Sequence, residues 1–72
     1  MIKVNLDLVM TERGITSKDL AAKIKITPAN LSILKTGKAH GVRFETLNKI
    51  CQVLNCQPGD ILSYEEDEEN EI

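Results

Sequence analysis

The side chains of this 72-residue sequence that can do chemistry are mostly cations and hydroxyls. Thr16, Ser17 and Lys18 stand together, Thr27 follows, and Lys35, Thr36, Lys38 and Arg43 fall within one short stretch. Ammonium, guanidinium and hydroxyl groups gathered together are suited to holding phosphate, through charge and hydrogen bonds. Covalent and acid–base chemistry has much less to draw on. His40 is the single histidine; with no evident partner it reads as a solvent-exposed or phosphate-near side chain and completes no Ser/His/Asp arrangement. Paired carboxylates are confined to the run Glu65–Glu71, where mutually repelling charges cannot hold a catalytic geometry. Cys51 reads as a buried, inert thiol on an apolar helix face, and Cys56 follows that helix. Two cysteines make neither a disulfide scaffold nor a zinc site. No Gly-rich phosphate loop is present. The expectation is a non-enzyme with no catalytic residues, no metal ligands and no small-molecule cofactor.

Charge patterning sharpens this. The nine Lys and Arg residues oppose eleven Asp and Glu residues for a net charge of −2. All nine bases lie in residues 1–64, with only five acids, a net +4, whereas residues 65–72 carry a net −6. A low overall isoelectric point therefore does not argue against a nucleic-acid partner. The division predicts one domain over 1–64 and an acidic disordered tail over 65–72. The tail reads either as a solubilising end or as a segment that folds back over the basic face and competes with DNA. A chain this small buries only about 60% of its unfolded surface, and with Phe44 and Tyr64 its only aromatics the core must be aliphatic. Two domains, and a cleft between them, are excluded. There is no apolar run of about 20 residues for a membrane span. The first residues do not read as a signal peptide. A reducing cytoplasm is the expected compartment.

Five short helices must position the cations. Ile2 and Val4 allow at most a very short extended segment. Asn5 can cap a helix carrying Leu6, Val9 and Met10, and Gly14 stops it. Thr16 opens a second helix with Leu20, Ala21 and Ile24 on its apolar side, ending near Lys25. Thr27 caps a third, Pro28 suits its first position, and Gly37 ends it. A fourth runs from Phe44 to Leu54 with Leu47, Ile50, Cys51 and Leu54 on one face, and Asn55 takes the left-handed cap. Pro58 starts a last turn through Ile61 and Leu62. Leu8, Ile2, Val4 and Tyr64 are left over; they read as ordinary single exposed apolar residues or, alternatively, as a small dimer surface in which Lys3-Val4 pairs with the Leu62–Tyr64 segment.

The middle pair has helix-turn-helix spacing, and small Ala21 lets the two backbones approach. At about 100° per residue, Leu31 and Leu34 of the third helix point inward together. Ala29, Ser32, Ile33 and Thr36 then point outward, with Asn30 toward the flank. These outward side chains are small, hydroxylated or methyl-rich, and none is acidic. Lys35, Lys38, Arg43 and the Thr16-Ser17-Lys18 start of the second helix ring them. Such a face suits a DNA major groove, with methyls and hydroxyls on base edges and cations on phosphates.

Residues 5–62 resemble the Cro/CI-type (XRE-like) helix-turn-helix family of phage repressors and bacterial regulators. The resemblance rests on Gly14-Ile15-Thr16-Ser17-Lys18-Asp19-Leu20-Ala21, on Ile26-Thr27-Pro28-Ala29-Asn30-Leu31-Ser32 and on Leu34-Lys35-Thr36-Gly37-Lys38. Thr46–Cys51 and Leu54–Leu62 extend it across helix four and the last turn. It implies an all-α bundle of the lambda-repressor-like type that binds double-stranded DNA, usually as a two-fold dimer, so a homodimer is left open. Carried over by position, Pro28, Ala29, Ser32 and Ile33 face bases. Thr16, Ser17, Lys18, Thr27, Lys35, Thr36, Lys38 and Arg43 face phosphates. Two departures stand out. The family often has Gly before Ile26, where this chain has Lys25, strained by about 1 kcal/mol if left-handed. No base-facing position offers the two-point reach of Gln, Arg or Asn, so readout falls to methyl contacts from Ala29 and Ile33 and to hydroxyls, with modest specificity.

The leading expectation is a sequence-specific DNA-binding transcriptional regulator, repressor-like, with helix 28–36 in the major groove. The alternative is a protein-interaction module on the same fold, such as the antitoxin partner of a toxin. The neutral outward face favours the alternative, and the ring of cations opposes it.

Overall fold

Local start and stop signals divide the chain, and the computed structural model, which describes residues 1–66, follows them closely. The order is β1 (Ile2–Val4), α1 (Leu6–Arg13), α2 (Ser17–Ile24), α3 (Pro28–Lys35), α4 (Phe44–Leu54), α5 (Pro58–Ile61) and β2 (Leu62–Tyr64). Gly14 ends α1 at φ 67°, a left-handed conformation that costs glycine nothing. Thr16 and Thr27 cap α2 and α3. Asn55 closes α4 in the left-handed region, and the Cys56 N–H donates to the Cys51 carbonyl at 3.1 Å. The α5 turn is fixed by a reciprocal pair. The Gln57 N–H donates to Asp60 Oδ2 at 2.8 Å, and the Asp60 N–H donates to the Gln57 carbonyl at 2.9 Å.

The expected aliphatic core forms from Leu6, Val9, Met10, Leu20, Ala21, Ile24, Leu31, Leu34, Ile50, Leu54 and Ile61. The first four helices each contribute two or three residues from one face and α5 contributes Ile61, so α2 packs on both α3 and α4, and α1 on α4 and α5. Arg13 adds a polar tie across the bundle. Its Nε donates to the Leu54 carbonyl at 2.8 Å and its Nη2 to that of Asn55 at 3.4 Å. A cation thus meets the unsatisfied carbonyls at the C-terminal end of α4.

Several expectations are corrected. The fold is not purely helical, because β1 and β2 form a two-stranded antiparallel sheet with Ile2 opposite Tyr64, Lys3 opposite Ser63 and Val4 opposite Leu62. The pairing expected between two copies of the chain is therefore made within one copy, and Leu62 belongs to β2 rather than to the last turn. Asn5 makes no side-chain cap; its Nδ2 donates to Ser63 Oγ at 3.1 Å and its backbone N–H to the Ile61 carbonyl at 2.6 Å. Cys51 is half-buried, packed against the core without joining it. Glu65 does not start a free tail. Its N–H donates to the Met1 carbonyl at 2.9 Å, and Lys3 Nζ lies 3.4 Å from its Oε2. The remainder of the expected disordered tail, residues 67–72, lies outside the described residues.

Candidate nucleic-acid interface

The geometry of α3 follows from two anchors. Leu31 is fully buried and Leu34 nearly so, which turns the opposite side of the helix to solvent. Pro28, Ala29, Ser32 and Ile33 are all exposed, and Ile33 keeps 47% of its surface open. The helix is Pro28–Lys35, one residue shorter than expected at its end, with Thr36 as its C-cap. Asn30, expected at the flank, is exposed and borders a shallow groove with Ile33, Ala39, Val42 and Arg43. The loop after α3 therefore stands beside the outward face and carries Arg43 to its edge.

The hydroxyls expected at phosphates divide by where their single hydrogen is committed. Thr16 Oγ1 accepts from the Asp19 N–H at 3.1 Å, and Thr27 Oγ1 accepts from the Asn30 N–H at 3.1 Å. Each keeps its O–H free to donate to an outside oxygen. Thr36 is the reverse: its hydroxyl donates to the Ser32 carbonyl at 2.9 Å, with the Ile33 carbonyl 3.3 Å away. In that rotamer Thr36 offers a phosphate no donor.

The cations divide in the same way. Lys18, Lys38 and Arg43 are exposed, with side chains that make no ion pair or hydrogen bond among the described residues. Lys35 is turned inward. Its Nζ donates to Ser17 Oγ at 2.9 Å and lies 3.7 Å from Asp7 Oδ1, with 26% of its side chain accessible. The structure thus joins Ser17 and Lys35 to each other and adds Asp7, which the sequence reading missed. No local pattern signals a contact between residues 28 positions apart. His40 is exposed in the loop between Lys38 and Arg43.

Among the described residues no three His, Cys, Asp or Glu side chains gather to hold a metal ion. Burial, together with the neighbouring Cys51 thiol, pushes the Cys56 thiol above its ordinary pKa, which disfavours its reactive thiolate. No described helix is long and apolar enough to cross a membrane.

Residues 5–67 match the Cro/C1-type HTH DNA-binding domain. The chain belongs to that family. It is also 48% identical over 68 residues to an uncharacterized HTH-type transcriptional regulator of Bacillus subtilis strain 168, YozG, covering 94% of this chain and 81% of that protein. The HTH turn carries this chain's departure from the family's usual glycine. Lys25 sits at φ 62° and ψ 44°, the left-handed region, where a side chain costs about 1 kcal/mol.

Proposed function

We propose that this Cro/C1-type HTH protein is a sequence-specific, repressor-like transcriptional regulator that seats α3 in the major groove of double-stranded DNA. One observation supports the reading above the others. The outward side of α3 is open and free of acids, uncommitted Lys38 and Arg43 lie in the loop beside it, and uncommitted Lys18 is exposed in the first turn of α2. YozG, called a transcriptional regulator, points the same way. In this reading Lys18, Lys38 and Arg43 hold phosphates, with the free hydroxyl hydrogens of Thr16, Ser17 and Thr27. Ala29 and Ile33 present methyl groups to thymine methyls, and Ser32 and Pro28 complete the base-facing surface. Two copies on a two-fold site place their half-sites about 34 Å apart.

The test is selection from a random duplex library at two salt concentrations. Replacing Lys38 and Arg43 with alanine is expected to weaken binding to every sequence. It should also lower the slope of log affinity against log salt by about 1.8, or 0.9 for each phosphate lost. Ile33→Ala is expected to change the selected sequence and leave the slope alone. A promoter carrying the selected site should fall in activity when the protein is expressed. Binding that ignores all three substitutions refutes the proposal, and capture of a protein with no duplex affinity redirects it to an interaction module.

A further inference from the structure

Lys35 has the charge and the position of a phosphate contact, yet its ammonium is engaged elsewhere. It is held between the first residue of α2 and the first turn of α1, donating to Ser17 Oγ at 2.9 Å and facing Asp7 Oδ1 at 3.7 Å. Asp7 keeps 72% of its side chain exposed while Lys35 keeps only 26%, so the cation is the inner member of the pair. Ser17 is half-buried, and among the described residues its hydroxyl hydrogen has no acceptor. A hydroxyl has two lone pairs and one hydrogen. With an ammonium proton on one lone pair, that hydrogen is repelled from the ammonium. The positive charge also polarises the O–H and makes it a stronger donor.

We infer that Lys35 is a positioning residue: it orients and polarises the Ser17 hydroxyl so that this hydroxyl, and not the Lys35 ammonium, donates to a DNA phosphate at the start of α2. The inference rests on the DNA-binding reading above. It gives Ser17 a donor role shared with the neighbouring Thr16. It also makes the Lys35–Asp7 pair nearly neutral toward DNA, so Lys35 adds little to the salt dependence of binding.

A double-mutant cycle on a mixed-sequence duplex tests this. The variants are Ser17→Ala, the charge-balanced pair Asp7→Asn with Lys35→Met, and all three changes together. The expected result is a loss of about three- to tenfold for Ser17→Ala and a similar loss for the charge-balanced pair. The triple variant should be no weaker than Ser17→Ala alone, with the salt slope unchanged throughout. Lys35→Arg, which keeps a donor and a charge, is expected to bind within about twofold of the parent. Should the charge-balanced pair fail to fold, Lys35→Arg and the Lys35 ammonium resonance of the free protein carry the test. That resonance should be protected from rapid exchange and lose its protection on Ser17→Ala. A slope lowered by about 0.9 in the charge-balanced pair, with losses that add in the triple variant, makes Lys35 an ordinary phosphate contact and overturns the inference alone. An ammonium indifferent to Ser17→Ala overturns it too. Absence of any duplex binding by the parent chain overturns the DNA-binding reading, and this inference with it.

Discussion

In the helix-turn-helix, the capping bonds reach three residues: Thr16 to Asp19 and Thr27 to Asn30. At the sheet end, Asn5 meets Ser63, 58 positions away, and Lys3 meets Glu65, 62 positions away. Both regions are ordered, but by different means. The ends of α2 and α3 are set by signals written beside one another, and both helices pack onto the shared core. The β1–β2 sheet exists only after the chain has closed on itself, so its stability is borrowed from the helices beneath it. The surface proposed to meet DNA thus stands on the part with the shorter-range instructions.

The contrast can be broken most forcefully from the core. Leu31→Ala should cost about 3 kcal/mol, because Leu31 is fully buried and leaves a cavity. In so small a domain that is a large share of the total stability, and urea unfolding should show both regions lost together. The reverse experiment removes residues 1–4. It takes away the sheet and the half-buried Val4, and is expected to lower stability by about 1–2 kcal/mol while leaving duplex affinity of the folded fraction unchanged. A loss of binding there would show that the two regions are not separable.

Smaller changes sharpen the comparison. Thr27→Ala removes the α3 cap and should cost about 1 kcal/mol. It should also weaken DNA binding beyond what the loss of stability explains, because the same hydroxyl faces outward. Lys25→Gly relieves the left-handed strain and should raise stability by about 0.5–1 kcal/mol with little change in affinity, as calorimetry and a binding isotherm would measure.

How far the molecule could be read from its sequence follows the same division. Thr16, Thr27, Pro28 and Gly37 mark the ends of α2 and α3 by local chemistry. The spacing of Leu31 and Leu34 then settles which side of α3 is covered, and these readings hold in the structure. The exposure of Ala29, Ser32 and Ile33 followed from that spacing alone. Asn5 misled because an amide before a helix is a good cap in isolation, and only the folded chain brings Ser63 to compete for it. Three-residue strands carry almost no periodic signal, so the sequence pointed to Lys3-Val4 and Leu62–Tyr64 as partner segments but not to their pairing within one copy. A sequence shows the charge of Lys35 but not that this charge lies against Ser17 and Asp7. Arg13 shows the same limit: its partners are the last carbonyls of another helix, 41 and 42 positions on.

The sheet has a geometric corollary. Because Ile2 lies opposite Tyr64, the polypeptide enters and leaves the domain at adjacent points on its surface. A unit with that geometry can be spliced as a cassette into the exposed loop of a host protein, or rejoined end to end and reopened elsewhere, with little distortion of the helices between.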